Sequence, residues 1–247
     1  MGAASRDVAD HRHRGRMTSY TRAIAFPVDD RKWHDGVLRV LVCDEFPLFR
    51  RQVVIALEEA PDIEVVAEAP DAEVARSAAE QTAPDVVVLG THVPPDGGVA
   101  TAAMLRTVLP AVEMVLAVDP DDERHEREVR RALRTGVVAF LSRDAVALHA
   151  VPVVRAAAAH RPVLDAFAAA LVLAEFERWS AVAPGRPALE PPERAVLDRL
   201  AGGEGITSAA EALEMPVVTA SNLVANSLRK LHRSARAAAL RATGSNA

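Results

Sequence analysis

Val37-Leu38-Arg39-Val40-Leu41-Val42-Cys43-Asp44-Glu45-Phe46-Pro47 is the stretch that decides the fold. Its first seven residues are β-prone and almost continuously apolar, the pattern of a strand covered on both faces rather than one. An acidic pair, Asp44-Glu45, ends the run. Pro47 then suits the first turn of a helix, where a missing N–H costs nothing. Phe49, Val53, Val54 and Leu57 follow at nearly one helical face.

Working outward, the same pattern recurs. Strands are expected at 63–67, 85–89, 112–118 and 137–141, with helices at 71–81, 98–108, 122–134 and 146–160. Parallel strands need a crossover between them, so five strands alternating with five helices predict an α/β domain with a five-stranded parallel, doubly wound sheet. Chemistry in such a sheet sits at the carboxyl ends of the strands. A further helix at 163–178 runs into Ala183-Pro184-Gly185-Arg186-Pro187, which breaks the chain. Four short helices are expected beyond it, at 191–201, 207–213, 217–231 and 235–241. Only Glu214-Met215-Pro216 separates the second from the third, the spacing of a helix-turn-helix.

Composition narrows the classes. Half of the 247 residues are hydrophobic and 26% are charged, enough for a packed core. A single cysteine, Cys43, excludes a disulfide framework and a Cys-rich zinc site. No apolar run approaches the roughly 18 residues of a membrane-spanning helix, and the N-terminus is charged where a secretory signal is apolar. A cytoplasmic protein without a membrane partner is expected. The net charge of −5 is uneven: residues 1–36 carry +2, 37–188 carry −8 and 189–247 carry +1. From Thr219 onward Arg229, Lys230, Arg233, Arg236 and Arg241 meet no acid, a distribution suited to nucleic acid or to a solvated helix face.

These segments, in this order, resemble a family. Arg39-Val40-Leu41-Val42-Cys43-Asp44-Glu45 looks like the first strand and acidic pair of a bacterial response-regulator receiver, and Pro84-Asp85-Val86-Val87-Val88-Leu89 like its third strand. Pro94-Pro95-Asp96-Gly97-Gly98 resembles the loop that follows, and Thr135-Gly136-Val137-Val138-Ala139-Phe140-Leu141 the approach to the fifth strand. Leu189-Glu190-Pro191-Pro192-Glu193-Arg194-Ala195-Val196-Leu197 and Leu228-Arg229-Lys230-Leu231 are similar to the opening and the end of a NarL/FixJ/LuxR-type helix-turn-helix. The resemblance spans about 210 residues. It implies a flavodoxin/CheY-like receiver at 37–160, a linker helix and Pro/Gly linker at 161–188, and an all-α four-helix DNA-binding domain at 189–247. Residues 1–36 read as a disordered extension.

The departures from the family carry the functional reading. A working receiver uses an aspartate at the tip of its third strand, Mg²⁺ held partly by the acidic pair, a hydroxyl on the fourth strand and a lysine after the fifth. Carried onto this chain, Asp44 and Glu45 keep the acidic pair. The phosphoacceptor position is Gly90, the hydroxyl position Val118 (Ala117 with a shift of one), and the lysine position Arg143. Glycine has no nucleophile, and a guanidinium lacks the compact geometry of an ammonium. The resemblance thus implies an atypical receiver that accepts no phosphoryl group; the vacated space suits a fixed pair of Asp44 or Glu45 with Arg143, a small molecule, or a silent, collapsed site. No catalytic set, metal site or cofactor is expected.

On the helix that the resemblance assigns to base reading, Ala220, Val224, Leu228 and Leu231 fall at core spacing. Ser221, Asn222, Ala225 and Asn226 are left for the groove, Thr219 for a base or phosphate contact, and Arg229, Lys230 and Arg233 for phosphates. Two functions fit. One is a phosphorylation-independent transcriptional regulator binding promoter DNA as a homodimer or heterodimer, of the kind that controls development or secondary metabolism. The other is a degenerate partner that pairs with an intact regulator and binds little DNA alone. The resemblance places dimerisation on the fourth helix–fifth strand–fifth helix face or on the C-terminal helices.

Overall fold

Near-continuous Val and Leu runs cannot leave a face wet, so each strand must be sandwiched between helices. In the computed structural model, which describes residues 36–182 and 187–244, five parallel strands lie in the order β2-β1-β3-β4-β5. They are β1 (Leu38–Cys43), β2 (Ile63–Ala69), β3 (Val86–Gly90), β4 (Glu113–Val118) and β5 (Ala139–Ser142). The crossovers are α1 (Pro47–Glu58), α2 (Ala72–Thr82), α3 (Gly98–Val108) and α4 (His125–Thr135), and α5 (Val146–Ala158) follows β5. Most of the expected 1–36 extension, and residues 183–186 of the expected break, lie outside the described residues.

The two-residue period of β1 sorts its side chains. Leu38, Val40 and Val42 join Phe49, Val53 and Leu57 of α1 and Val153 and Val154 of α5. Leu41 and Cys43 join Leu89, Leu116 and Leu133 on the opposite face. That second core does not stop at the sheet. It runs on through α6 (Ala166–Val182), α7 (Pro191–Ala201), α8 (Ile206–Ala212) and α9 (Val217–Gly244) by way of Val172, Trp179, Leu197 and Leu228.

Three expectations are corrected. The helix expected from residue 163 begins at Ala166, because Val163 instead extends the sheet beside β5. Phe140 N donates to Val163 O at 3.1 Å, and Val163 N to Val138 O at 2.9 Å. Asp165 then caps α6 by accepting from Ala168 N at 2.7 Å. Second, α4 starts at His125 rather than at 122, because Asp119 and Asp122 accept from Asp121 N and Arg124 N and hold a turn there.

Third, the helices expected at 217–231 and 235–241 are one, so among the described residues three helices follow the break instead of four. His232-Arg233-Ser234 contains neither Gly nor Pro, and nothing in it ends a helix. On the fourth helix–fifth strand–fifth helix face, parts of α4 and β5 are covered by the chain itself. The His125 ring of α4 lies 4.7 Å from that of Phe167, Arg130 Nη1 donates to the fully buried Glu175 of α6 at 2.8 Å, and Val163 occupies the edge of β5.

Candidate functional site

The strand order reverses between β1 and β3, which opens a crevice at their carboxyl ends. Asp44 leaves β1 there, Gly90 ends β3, Val118 ends β4 and Arg143 follows β5. The topology thus gathers residues 44, 90, 118 and 143, which sequence spacing alone leaves far apart.

What they build is closed. Asp44 is 1% exposed. Its Oδ2 accepts from Arg143 Nη1 at 2.6 Å and its Oδ1 from Arg143 Nη2 at 3.2 Å, a two-pronged guanidinium–carboxylate pair. Oδ1 also accepts from Phe46 N at 2.8 Å, where α1 begins. The Arg143 guanidinium carbon sits 3.7 Å from the centre of the Phe49 ring, a cation–π contact that fixes its plane. Gly90 belongs beneath this pair by necessity: a Cβ there would fall 1.7 Å from Asp44 Oδ2 and 3.2 Å from Arg143 Nη1. The loop after β3 folds as tightly, since a Cβ on Gly98 would lie 1.9 Å from the Gly90 carbonyl oxygen.

The Mg²⁺ that receivers employ does not fit this donor set. Gly90 offers no oxygen ligand from a side chain, both oxygens of Asp44 are engaged by Arg143, and Val118 and Ala117 are buried and apolar. Glu45 is half-buried and stands outside the Asp44–Arg143 pair. Beside that pair a crevice of about 480 Å³ opens, lined by Phe46, Leu48, Phe49, Gln52, Asp119 and Arg143. Cys43, one residue before the pair, has its thiol pushed up to about 12 by burial and by the charges of Asp44 and Asp71, so it is inert as a nucleophile.

The second group of residues lies on α9. Thr219, Asn222, Arg229 and Arg233 are exposed. Asn226 is half-buried and accepts from Arg229. Lys230 is tied down: its Nζ donates to Glu193 Oε2 at 2.7 Å and to Ala188 O at 3.0 Å. Ser221 is 4% exposed, and its Oγ has no hydrogen-bond partner. It faces a cleft of about 460 Å³ between α9 and the sheet domain, whose other wall carries Glu113, Val138 and the turn 159–162.

Two contributors were invisible in the sequence. Phe49 falls at core spacing, and nothing there marks its stacking on Arg143. His232 is half-buried between α9 and α4, where desolvation and the nearby Arg106 push it down to about 4 while the backbone of Leu133 hydrogen-bonds it. Its only signal was a lone imidazole in an Arg/Ala-rich helix.

Known proteins settle the lineage. The chain is 34% identical over 204 residues to the probable transcriptional regulatory protein NarL of Mycobacterium tuberculosis, covering 82% of this chain and 92% of that one. It belongs to the NarL/LuxR family of response regulators. The nitrate/nitrite response regulator NarL of Escherichia coli K12 is 30% identical over 200 residues, covering 80% and 90% of the two chains. LiaR of Bacillus subtilis is 28% identical over 201 residues, covering 81% and 93%. No protein-family model matches the chain. Among solved structures, a LuxR-family two-component response regulator from Aurantimonas sp. SI85-9A1 shares the fold, with a TM-score of 0.50, 23% identity, and coverage of 56% of this chain and 97% of that one.

The relatives' names are those of transcriptional and response regulators, not of enzymes. No helix among the described residues is long and apolar enough to cross a membrane.

Proposed function

We propose that this NarL/LuxR-family protein is an atypical, cytoplasmic regulator of promoter DNA that works without phosphoryl transfer and as a dimer. One observation carries the reading: the Asp44–Arg143 pair fills the space above Gly90, where a phosphoacceptor would stand. Arg143 brings to Asp44 the positive charge that a metal ion supplies elsewhere, and brings it permanently. In this reading residues 37–160 are a pseudo-receiver, 161–188 a connector and 189–247 the DNA-binding module. Development or secondary metabolism is the process proposed for it.

Thr219, Ser221, Asn222 and Asn226 are assigned to base edges, and Arg229, Arg233 and Lys230 to phosphates. Ser221 is covered in the present arrangement, so α9 must leave the sheet domain before it enters a groove. A small molecule in the crevice beside Phe46, Phe49 and Arg143 is the proposed trigger, because Arg143 of the pair and the Phe49 ring that backs it both line that crevice. The test is selection of random duplex DNA by the purified full chain with no phosphodonor, alongside acetyl-phosphate labelling. Recovery of a two-fold symmetric site without labelling upholds the proposal; efficient labelling overturns it.

One observation favours the alternative of a partner protein that modulates another regulator by heterodimerising with it. Lys230 is consumed by Glu193, which leaves fewer cations for phosphates than the sequence offers. Enrichment of DNA only in the presence of a related regulator would select that reading.

A further inference from the structure

Two buried polar atoms without a hydrogen-bond partner, Ser221 Oγ and His232 Nε2, belong to residues that line the cleft between α9 and the sheet domain. Ser227, on the same helix, disposes of its hydroxyl by donating to Leu223 O at 3.0 Å. Ser221 does not, although it is only 4% exposed. A serine so buried ordinarily finds a partner, because leaving a hydroxyl unpaired costs its full desolvation. His232 poses the same problem further along. The backbone of Leu133 hydrogen-bonds its ring, and desolvation keeps the ring neutral. A neutral imidazole that donates to a carbonyl through one nitrogen has the other, here Nε2, left as an acceptor. One end of the cleft thus asks for a donor, and the other for a partner to a hydroxyl.

The spacing sets the shape of what fits. Val218, Ser221, Asn222, Ala225 and Arg229 recur every three or four residues, so a single face of α9 forms this wall. Ser221 and His232 stand three turns apart, about 16 Å along the axis. A cleft of about 460 Å³ drawn out over that length takes a narrow or flat molecule. Val138, Pro162 and Leu228 give it apolar walls. Arg161 and Arg229 border it, whereas Glu113, the acid of the lining, is engaged by His160 at 2.6 Å. Positive charge is left in excess, which favours an anion. Glu113 opens β4 and Val138 precedes β5, so the cleft lies at the amino-terminal edge of the sheet, away from the Asp44–Arg143 pair.

We infer that this cleft binds an elongated, largely apolar small-molecule anion, whose carboxylate or similar group meets Ser221, Asn222 and Arg229 and whose far-end O–H or N–H donates to His232. Such an occupant touches both walls and holds α9 on the sheet domain. Its regulatory consequence rests on the proposed reading of Ser221 and Asn222 as base-contacting residues, since the molecule covers them and keeps them from a groove.

Hydroxybiphenyl carboxylate, a flat rod with a phenol at one end and a carboxylate at the other, is the probe. Isothermal titration calorimetry of the full chain without DNA should show one site per chain, with a Kd of about 100 μM or tighter. Biphenyl carboxylate, which lacks the phenol, should bind about tenfold more weakly, and Ser221→Ala should weaken the probe by about as much. That variant loses only an unpaired hydroxyl, so it should be at least as stable as the parent chain. Ala225→Phe should abolish binding by filling the cleft, with far-UV circular dichroism unchanged. Hydrogen exchange with the probe bound should slow in α9 and at 159–162 together. No saturable binding up to about 1 mM overturns the inference. So does binding that Ser221→Ala and Ala225→Phe leave intact, which would put the probe elsewhere, and so does protection confined to one wall. Because no DNA is present, failure here is separate from failure of the proposed base reading.

Discussion

Arg143 and Asp44, 99 residues apart in sequence, form a buried two-pronged ion pair at the carboxyl edge of the sheet, with Nη1–Oδ2 at 2.6 Å and Nη2–Oδ1 at 3.2 Å. The Phe49 ring backs the guanidinium, and Gly90 leaves the room in which the carboxylate sits. A side chain at position 90 and this pair cannot share the space.

Gly90→Asp should therefore fail to restore phosphoryl acceptance. The new Cβ would require Asp44 to move, and the new carboxylate would add a second negative charge beside a buried one. Destabilisation of about 2–4 kcal/mol is expected. Acetyl-phosphate labelling with Mg²⁺ and urea denaturation check both parts; stable, efficient labelling would contradict the geometry described.

Arg143→Ala should cost about 3–5 kcal/mol, because it strands the Asp44 carboxylate in a site that is 1% exposed. Asp44→Asn with Arg143→Ala should recover part of that loss, since no charge is then left alone. Urea midpoints for the single and double variants form the cycle that measures the coupling.

The seating of α9 on the sheet domain should weaken in mild acid. His232 is pushed down to about 4 in the docked form, against 6.5 for a free imidazole. A histidine with a depressed value adds full stability above about 6.5, and that contribution is lost as pH falls toward 4. The expected loss at pH 5.5 is on the order of 1 kcal/mol. Thermal denaturation and limited proteolysis at pH 7.5 and 5.5 should show it, and His232→Gln should flatten it. His149, lowered by its own burial, gives the residual slope.

Asn222→Ala and Arg229→Ala should each weaken operator binding by about 1–3 kcal/mol, and Arg229→Ala should lower the salt slope by about one. Lys230→Ala should behave differently. It leaves Glu193, 3% exposed, without its cation, so it should lower stability more than it changes the salt slope. Fluorescence anisotropy across a salt series, paired with denaturation, separates the two.

Much of the fold was legible because its signals are local. The α3 and α7 bounds were read correctly from residue pattern, and Pro47 and Pro191 marked helix starts. The misread ends share a cause. At 122–124 side-chain carboxylates captured backbone N–H groups, and at 163 a neighbouring strand did so. Beyond 231 the chain lacked any residue that would stop the helix. Of the site, the positions of Asp44, Gly90 and Arg143 were visible, while Phe49, His232 and the engagement of Lys230 were not.

By itself the sequence determined the alternation of strands and helices, the family, and the presence of a glycine at position 90, since these rest on local pattern and residue chemistry. Which carboxylate Arg143 chose, which helix face stayed bare and which side of α9 was covered were decided only by the tertiary structure. Those outcomes depend on contacts between residues up to about a hundred positions apart, and packing chooses among partners that the one-dimensional pattern leaves equivalent.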